Sequence, residues 1–337
     1  MKILVDIGGC DFPDKMIGGA VASAKAHPDY TIAVVGDSEF INKYVGSGAP
    51  NLVIEHAPDV ITNEDAPTKA IRQKPDSSLM RAISILKESD DAIGLVSGGS
   101  TGAVLTAATL VIGRMKGVLR PTLSSPGIPT AKEGKALCVA DCGANVDSKP
   151  EYLAQFALMA NAYVKAVFGV KEPVVGLLSV GTEDKKGDER TKEAFELIKA
   201  LPINFAGNME ARDAVTGDYD VIISDGFSGN VLIKSIEGTA KMVMDKVKGA
   251  IKSSASAKLG ALFMRKSLMK LKSAMNYHVY GGGAFLGVNK LVVKTHGSSN
   301  EISTAASIDN IIKMHENKLL DEIAAAIADH CEESSAS

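Results

Sequence analysis

The sequence predicts an α/β protein built on a doubly wound, mainly parallel sheet with helices on both faces. Three observations lead there. Short continuous apolar runs alternate with segments whose apolar residues recur at helical spacing, the pattern of strands covered on both sides by crossover helices. Gly-rich polar clusters follow those runs, where an open parallel sheet holds its ligands. The composition is that of a globular core, 45% hydrophobic and 23% charged over 337 residues, enough for one large unit.

The elements follow in order. "KILVD" (2–6) is the first strand and leads into "DIGGCD". "TIAVV" (31–35) and "NLVIE" (51–55) are the next two, and a helix is predicted over 78–88. "AIGLV" (92–96) runs into "SGGSTGA" (97–103), and "ALCVA" (136–140) into "DCGANVDSKPE" (141–151). A helix then covers 151–167, with Pro150 at its first turn, where no N–H is needed. "VVGLL" (174–178) precedes "SVGTEDKKGDE" and a helix over 191–200. "DVIIS" (220–224) precedes "SDGFSGN", and "LVVKT" (291–295) precedes "THGSSNE". The expected organisation is a single domain over 1–330 with a helical hairpin inserted at 240–278 and a flexible tail at 331–337. Six strand ends bearing Gly and small polar residues predict one shared crevice.

Several functions are excluded. A net charge of −3, 5% aromatic residues and no Trp argue against nucleic-acid binding. Cys10, Cys138, Cys142 and Cys331 include no CxxC pair, which suggests a reducing compartment, no disulfide and no zinc site. No HExxH, EF-hand or clustered His/Cys pattern is present, so no metal is expected. Neither GxGxxG nor a P-loop lysine is present, so no nucleotide cofactor is expected. The start "MKILVDIGG" does not read as a signal peptide. The longest apolar run, 103–112, is too short for a bilayer span of roughly 20 residues. A cytoplasmic protein is expected.

The loops offer candidate residues. Gly98, Gly99 and Gly102 allow close backbone approach, and Ser100 and Thr101 stand at a helix start suited to phosphate; a plain N-cap turn is the alternative. Lys149 lies beside the next helix start, Asn145 can orient an oxygen, and Asp141 and Asp147 can hold Lys149 or neighbouring loops. Alternatively Ser148 caps that helix and the charges are solvated. Cys142 is a chemically possible nucleophile, although buried cysteines are usually inert. Asp6 and Asp225 each end a strand; after Asp225, Gly226 and Gly229 shape a turn, Asn230 opens a helix, and Lys234 follows on the same face. Ser298 and Glu301 have capping-box spacing. His296 can donate a proton near neutral pH, or serve only structurally.

Residues 241–272 differ in kind. Nine Lys/Arg and one Asp give them a formal +8, leaving −11 on the rest of the chain. Lys258, Leu259, Leu262, Phe263, Met264, Arg265, Lys266 and Leu268 sit in this stretch. It reads as a cationic amphipathic helix pair for an anionic membrane or an acidic protein. Packing of the apolar face in a dimer is the alternative.

In combination, "KPDSSLMRAI" (74–83), "SGGSTGA", "DCGANVDSKPEYL", "GNMEARD" (207–213), "SDGFSGNVLIKSIEG" (224–238), "AKLGALFM" (257–264) and "LGVNKLVVKTHGSSN" (286–300) resemble the bacterial phosphate acyltransferases of phospholipid synthesis, the PlsX family. The first loop is one residue short of that pattern, Ser100 replaces an Asn and Ala284 a Pro. The resemblance implies a fold related to phosphotransacetylases and isopropylmalate-type dehydrogenases. It implies a homodimer, peripherally membrane-associated, that converts long-chain acyl-[acyl carrier protein] and inorganic phosphate into acyl phosphate and free carrier. Such chemistry needs an anion held against a thioester carbonyl, and no covalent acyl-enzyme. The 98–102 loop and Lys149 would bind phosphate, Asn145 and Asn230 orient, Lys234 give electrostatic support, and His296 or water protonate the leaving thiolate. A short-chain phosphotransacetylase using coenzyme A, and a membrane-docked scaffold without activity, are the other readings.

Overall fold

The computed structural model describes residues 1–297 and 299–336. The strands are β1 (Lys2–Asp6), β2 (Thr31–Gly36), β3 (Leu52–His56), β4 (Ala92–Ser97), β5 (Thr122–Leu123), β6 (Ile128–Pro129), β7 (Ala136–Ala140), β8 (Val175–Ser179), β9 (Phe205–Glu210), β10 (Val221–Ile223), β11 (Gly283–Leu286) and β12 (Leu291–Lys294). The helices are α1 (Pro13–Ala26), α2 (Ser38–Tyr44), α3 (Pro67–Gln73), α4 (Ser78–Glu88), α5 (Thr101–Ala107), α6 (Pro150–Phe168), α7 (Glu189–Lys199), α8 (Gly226–Lys252), α9 (Ala255–Phe263), α10 (Arg265–Ala274), α11 (Glu301–Glu316) and α12 (Leu319–Ala336). The last of these carries helix into the stretch expected as a tail.

The predicted strands are present, but they form two sheets rather than one. The first has order β3-β2-β1-β4-β12-β11-β5 and the second β6-β7-β10-β8-β9. Pairing is parallel except at β11, β5 and β6. Continuous apolar runs report that a strand is covered on both faces and do not report its neighbours. Here β12, late in the chain, returns to pair with β4. The segment at 122–125 stitches the sheets together: Ser124 N donates to Ala284 O of β11 at 2.9 Å and Ser125 N to Val139 O of β7 at 2.8 Å.

Helix α6 supplies the common core. Its sequence is apolar nearly all round, and Phe156 and Tyr163 are fully buried, as expected for a helix enclosed on every side. It packs on β7, β10, α7, α11 and α12. Each large apolar side chain so buried stabilises by about 1.5–3 kcal/mol. Lys149 is its N-cap residue and Pro150 opens it.

The hairpin differs from expectation in its root. Its first arm is not a separate helix starting near 240 but the distal part of α8, which runs unbroken from Gly226 to Lys252. No proline interrupts that stretch, and the charge pattern marks only where the helix leaves the protein body. At 1.5 Å per residue this 27-residue helix is about 40 Å long. The return arm, α9 and α10, exposes Leu259, Leu262, Met264 and Phe263, the last at 83%. The expected Ser298–Glu301 capping box involves Ser298, which lies outside the described residues. Asn300 caps α11 instead, because its Oδ1 accepts from Ser303 N at 3.0 Å while Ser303 Oγ accepts from Asn300 N at 2.9 Å.

Candidate functional site

A cleft of about 500 Å3 lies on the seam between the sheets. From the first sheet, the turn after β4 supplies Gly98, Gly99 and Thr101, and the end of β12 supplies Lys294 and His296. From the second, the loop after β7 supplies Cys142 and Gly143, and α8 supplies Asn230 and Lys234. Asn230 and Lys234 share one helical face, as their spacing requires.

The start of α8 is set by backbone packing. Asp225 Oδ1 accepts from Phe227 N at 3.0 Å and Ser228 N at 2.9 Å, capping the helix. A Cβ at Gly226 would lie 2.6 Å from Asn145 O, and one at Gly229 only 2.0 Å from Asp141 O. Glycine is therefore required where α8 meets the 141–145 loop. The helix itself begins four residues before Asn230, which sits inside its second turn rather than opening it.

That loop is organised around Asp141, which is fully buried. Its Oδ1 accepts from Leu123 N, Gly143 N and Ala144 N at 3.1–3.2 Å, and its Oδ2 from Asn145 N at 2.6 Å and Asn145 Nδ2 at 2.9 Å. Burial pushes its carboxyl up, and these bonds pull it back toward ionisation. Asn145 Nδ2 also donates to Pro121 O at 2.8 Å. One expectation changes accordingly. Asn145 builds the loop instead of lining the cleft, because its amide is engaged by the loop. Of the two roles open to Asp141, it is the loop that it holds and not Lys149. Lys149 and Asp147 are exposed beside the start of α6, outside the cleft lining.

Asp6 plays the corresponding part in the first sheet. Fully buried at the end of β1, it accepts from Gly8 N at 3.0 Å and Ser97 Oγ at 2.7 Å, and Ser97 Oγ accepts from Gly99 N at 3.2 Å. Burial raises its carboxyl. Gly98 admits no side chain, since a Cβ would lie 2.5 Å from Met16 Sδ. Ser100 caps α5 without a side-chain bond, and neither it nor Gly102 lines the cleft. Cys142 is buried, and burial followed by Asp141 pushes its thiol well up, which disfavours a nucleophilic thiolate.

Sequence reasoning missed Lys294. It is the last residue of an apolar strand and partly buried, and its Nζ donates to Gly98 O at 3.5 Å and to Thr295 O. Burial pulls its ammonium down to about 8, against the opposing pull of Asp6. A lysine closing "LVVK" at a ligand-bearing strand end was the available signal. Tyr277, His278 and Glu237 also line the cleft, and Glu237 Oε2 pairs with Lys234 Nζ at 2.8 Å. Burial lowers both His278 and His296, the latter helped by Lys234.

The single crevice expected from six strand ends is in fact divided. The ends of β8 and β10 line a second cavity of about 300 Å3, containing Ser179, Asp188, Arg190, Asp225 and Ser228, beside the first turn of α8. Among the described residues no group of His, Cys, Asp and Glu could hold a metal ion.

The family profile described as fatty acid synthesis protein matches residues 1–321. The chain is 42% identical over 327 residues to the phosphate acyltransferase of Clostridium acetobutylicum, covering 96% of this chain and 98% of that protein. It is 41% identical over 337 residues to the phosphate acyltransferase of Clostridioides difficile, covering 99% and 98% respectively. Among solved structures, a phosphotransacetylase from Streptococcus pyogenes superposes with a TM-score of 0.59 at 20% identity, covering 94% of each chain. That likeness is one of fold.

Proposed function

The chain belongs to the fatty acid synthesis protein family, in which its relatives are phosphate acyltransferases, and from that premise we propose that it transfers a long-chain acyl group from an acyl carrier protein thioester to inorganic phosphate. The observation that carries this reading is the convergence of Lys234, on α8, and Lys294, at the end of β12, on one cleft beside the start of α5.

A phosphate oxygen attacks the thioester carbonyl carbon, the C–S bond breaks, and the departing thiolate takes up a proton. Phosphate is already anionic at neutral pH, so the site has to position it and offset charge. Lys294 holds the anion beside Gly98, Gly99 and Thr101, and the uncapped N–H groups of α5 add their dipole. Lys234 faces the developing oxyanion, with Asn230 orienting the carbonyl, and His296 or water protonates the sulfur. Asp6, Asp141 and Asp225 hold the loops that present these groups. Lys149 is assigned no step.

The hairpin supports the choice of donor. A +8 segment with exposed Leu259, Leu262 and Phe263 suits an acidic carrier and an anionic lipid surface. No helix among the described residues is long and apolar enough to cross a membrane. The proposal therefore places the protein in the cytoplasm, bound peripherally at a membrane. Phe227 and Val231 are exposed one turn apart on α8, which favours a homodimer packed there.

The test follows free thiol release from palmitoyl-acyl carrier protein while trapping product with hydroxylamine. Phosphate-dependent release with matching hydroxamate is expected. Activity on acetyl-coenzyme A alone would move the assignment to a short-chain phosphotransacetylase, and silence on both donors to a scaffold without activity.

A further inference from the structure

The cleft has a mixed lining. Gly98, Thr101, Lys294 and His296 are polar, whereas Leu123, Pro126, Ile233 and Tyr277 are largely apolar. Ile233 lies on α8 shortly before that helix leaves the protein body. Tyr277 begins the 3-10 turn Tyr277–Tyr280, by which the chain returns from α10. Burial raises the Tyr277 phenol, Glu237 raises it further and Lys234 lowers it, so the ring stands close to this part of α8. Ile233 and Tyr277 thus line the cleft from the two roots of the hairpin. Beyond Ile233, α8 continues for about 28 Å to Lys252, where the exposed Leu259, Leu262 and Phe263 follow.

We infer that the acyl chain of the substrate passes between Ile233 and Tyr277, its carbonyl beside Lys294 and His296 and its methyl end directed toward the hairpin. The inference rests on the acyl-transfer reading and adds the path of the chain. The opposite orientation would lay hydrocarbon over Thr101, Lys294 and His296 and strip water from them without replacing its hydrogen bonds, which is costly. The inferred orientation instead removes Pro126, Ile233 and Tyr277, which are only partly buried, from water together with the tail, and the gain scales with apolar area. It makes Ile233 and Tyr277 determinants of chain length.

The chain has no Trp, so Tyr277→Trp installs a single tryptophan emitter on the path. Carrier protein charged with mid-chain dibrominated stearoyl is the probe, and unbrominated stearoyl-carrier is its control. The expected result is quenching by the brominated donor only. In parallel, Ile233→Trp should reduce the ratio of kcat/KM for hexadecanoyl over octanoyl donor by roughly tenfold. Calorimetric binding of the brominated donor without quenching, together with an unchanged chain-length ratio, would overturn the path while leaving the acyl-transfer reading intact. A wild-type protein that neither binds acyl donor nor releases thiol with phosphate would remove that reading and the path with it.

Discussion

Arg190 Nη2 lies 2.9 Å from Asp225 Oδ2, the carboxylate that also caps α8. One residue of α7 thereby anchors the helix that carries Asn230 and Lys234 into the cleft. Asp225→Ala removes the cap, worth about 1 kcal/mol, and takes from the partly buried Arg190 guanidinium the closer of its two carboxylate partners, leaving Asp188 at 3.3 Å. A total loss of about 2 kcal/mol in urea unfolding is expected. Asp225→Asn retains a backbone acceptor and should lose less.

Gly229→Ala should destabilise by about 1–3 kcal/mol, because its Cβ would meet Asp141 O at 2.0 Å. Thiol release should fall with it as Asn230 and Lys234 shift. At Gly238, further along the same helix, a Cβ would meet nothing within 4 Å. Gly238→Ala should stabilise by about 0.5–1 kcal/mol. Equal effects in the two variants would contradict the packing argument.

The lowered pKa of Lys294 predicts an alkaline limb. If the charged form holds phosphate, kcat/KM for phosphate falls as pH rises through about 8, and Lys294→Arg removes that limb. The stability contribution has the opposite sign. Between about 8 and the ordinary value of 10.5 the unfolded chain binds a proton the folded chain has released, so this group's contribution to stability rises with pH there. Phosphate titrations from pH 7 to 10, paired with urea unfolding, measure both.

Lysine substitutions separate the cleft from its surroundings. Lys234→Ala should lower kcat/KM by about tenfold or more, about 1.4 kcal/mol of transition-state stabilisation, with unfolding unchanged because the side chain is exposed. Lys149→Ala should leave most activity in place. Loss of turnover on Lys149→Ala would show that the reacting groups extend past the cleft lining to the start of α6.

If charge guides the carrier to the hairpin, its apparent KM should rise steeply with salt, since screening shortens to about 10 Å at 0.1 M. Reversing charge at Lys258, Arg265 and Lys266 should flatten that dependence. A KM indifferent to salt would leave the apolar face as the docking surface.

Much of this fold was legible because its strands are short apolar runs punctuated by glycine. "SDGFSGNVLIK" announced a strand end, a turn and a helix, and placed Asn230 and Lys234 on one face, and both line the cleft. Pairing was not legible, because β12 joins β4 across nearly 200 residues and local pattern carries no record of such partners. The same limit hid Lys294, whose importance arises only when β12 lies beside the Gly98 turn. Asn145 was misread for a related reason. Its polarity was visible, but its hydrogen bonds to Asp141 and Pro121 depend on a turn that no spacing rule describes.

The division into two sheets has a thermodynamic consequence. A ligand held by Lys294 at the end of β12 and by Lys234 on α8, the helix that follows β10 of the other sheet, binds only while both halves are folded. Mass action then couples their unfolding: at a concentration 100-fold above Kd such a ligand adds about 2.7 kcal/mol to the cost of opening either half. Without ligand, the halves are joined by contacts that include α6, the 122–125 stitch, the packing of α8 on the 141–145 loop and the turn Tyr277–Tyr280, which meets both α11 and β6. The protein should therefore melt most cooperatively when its cleft is full.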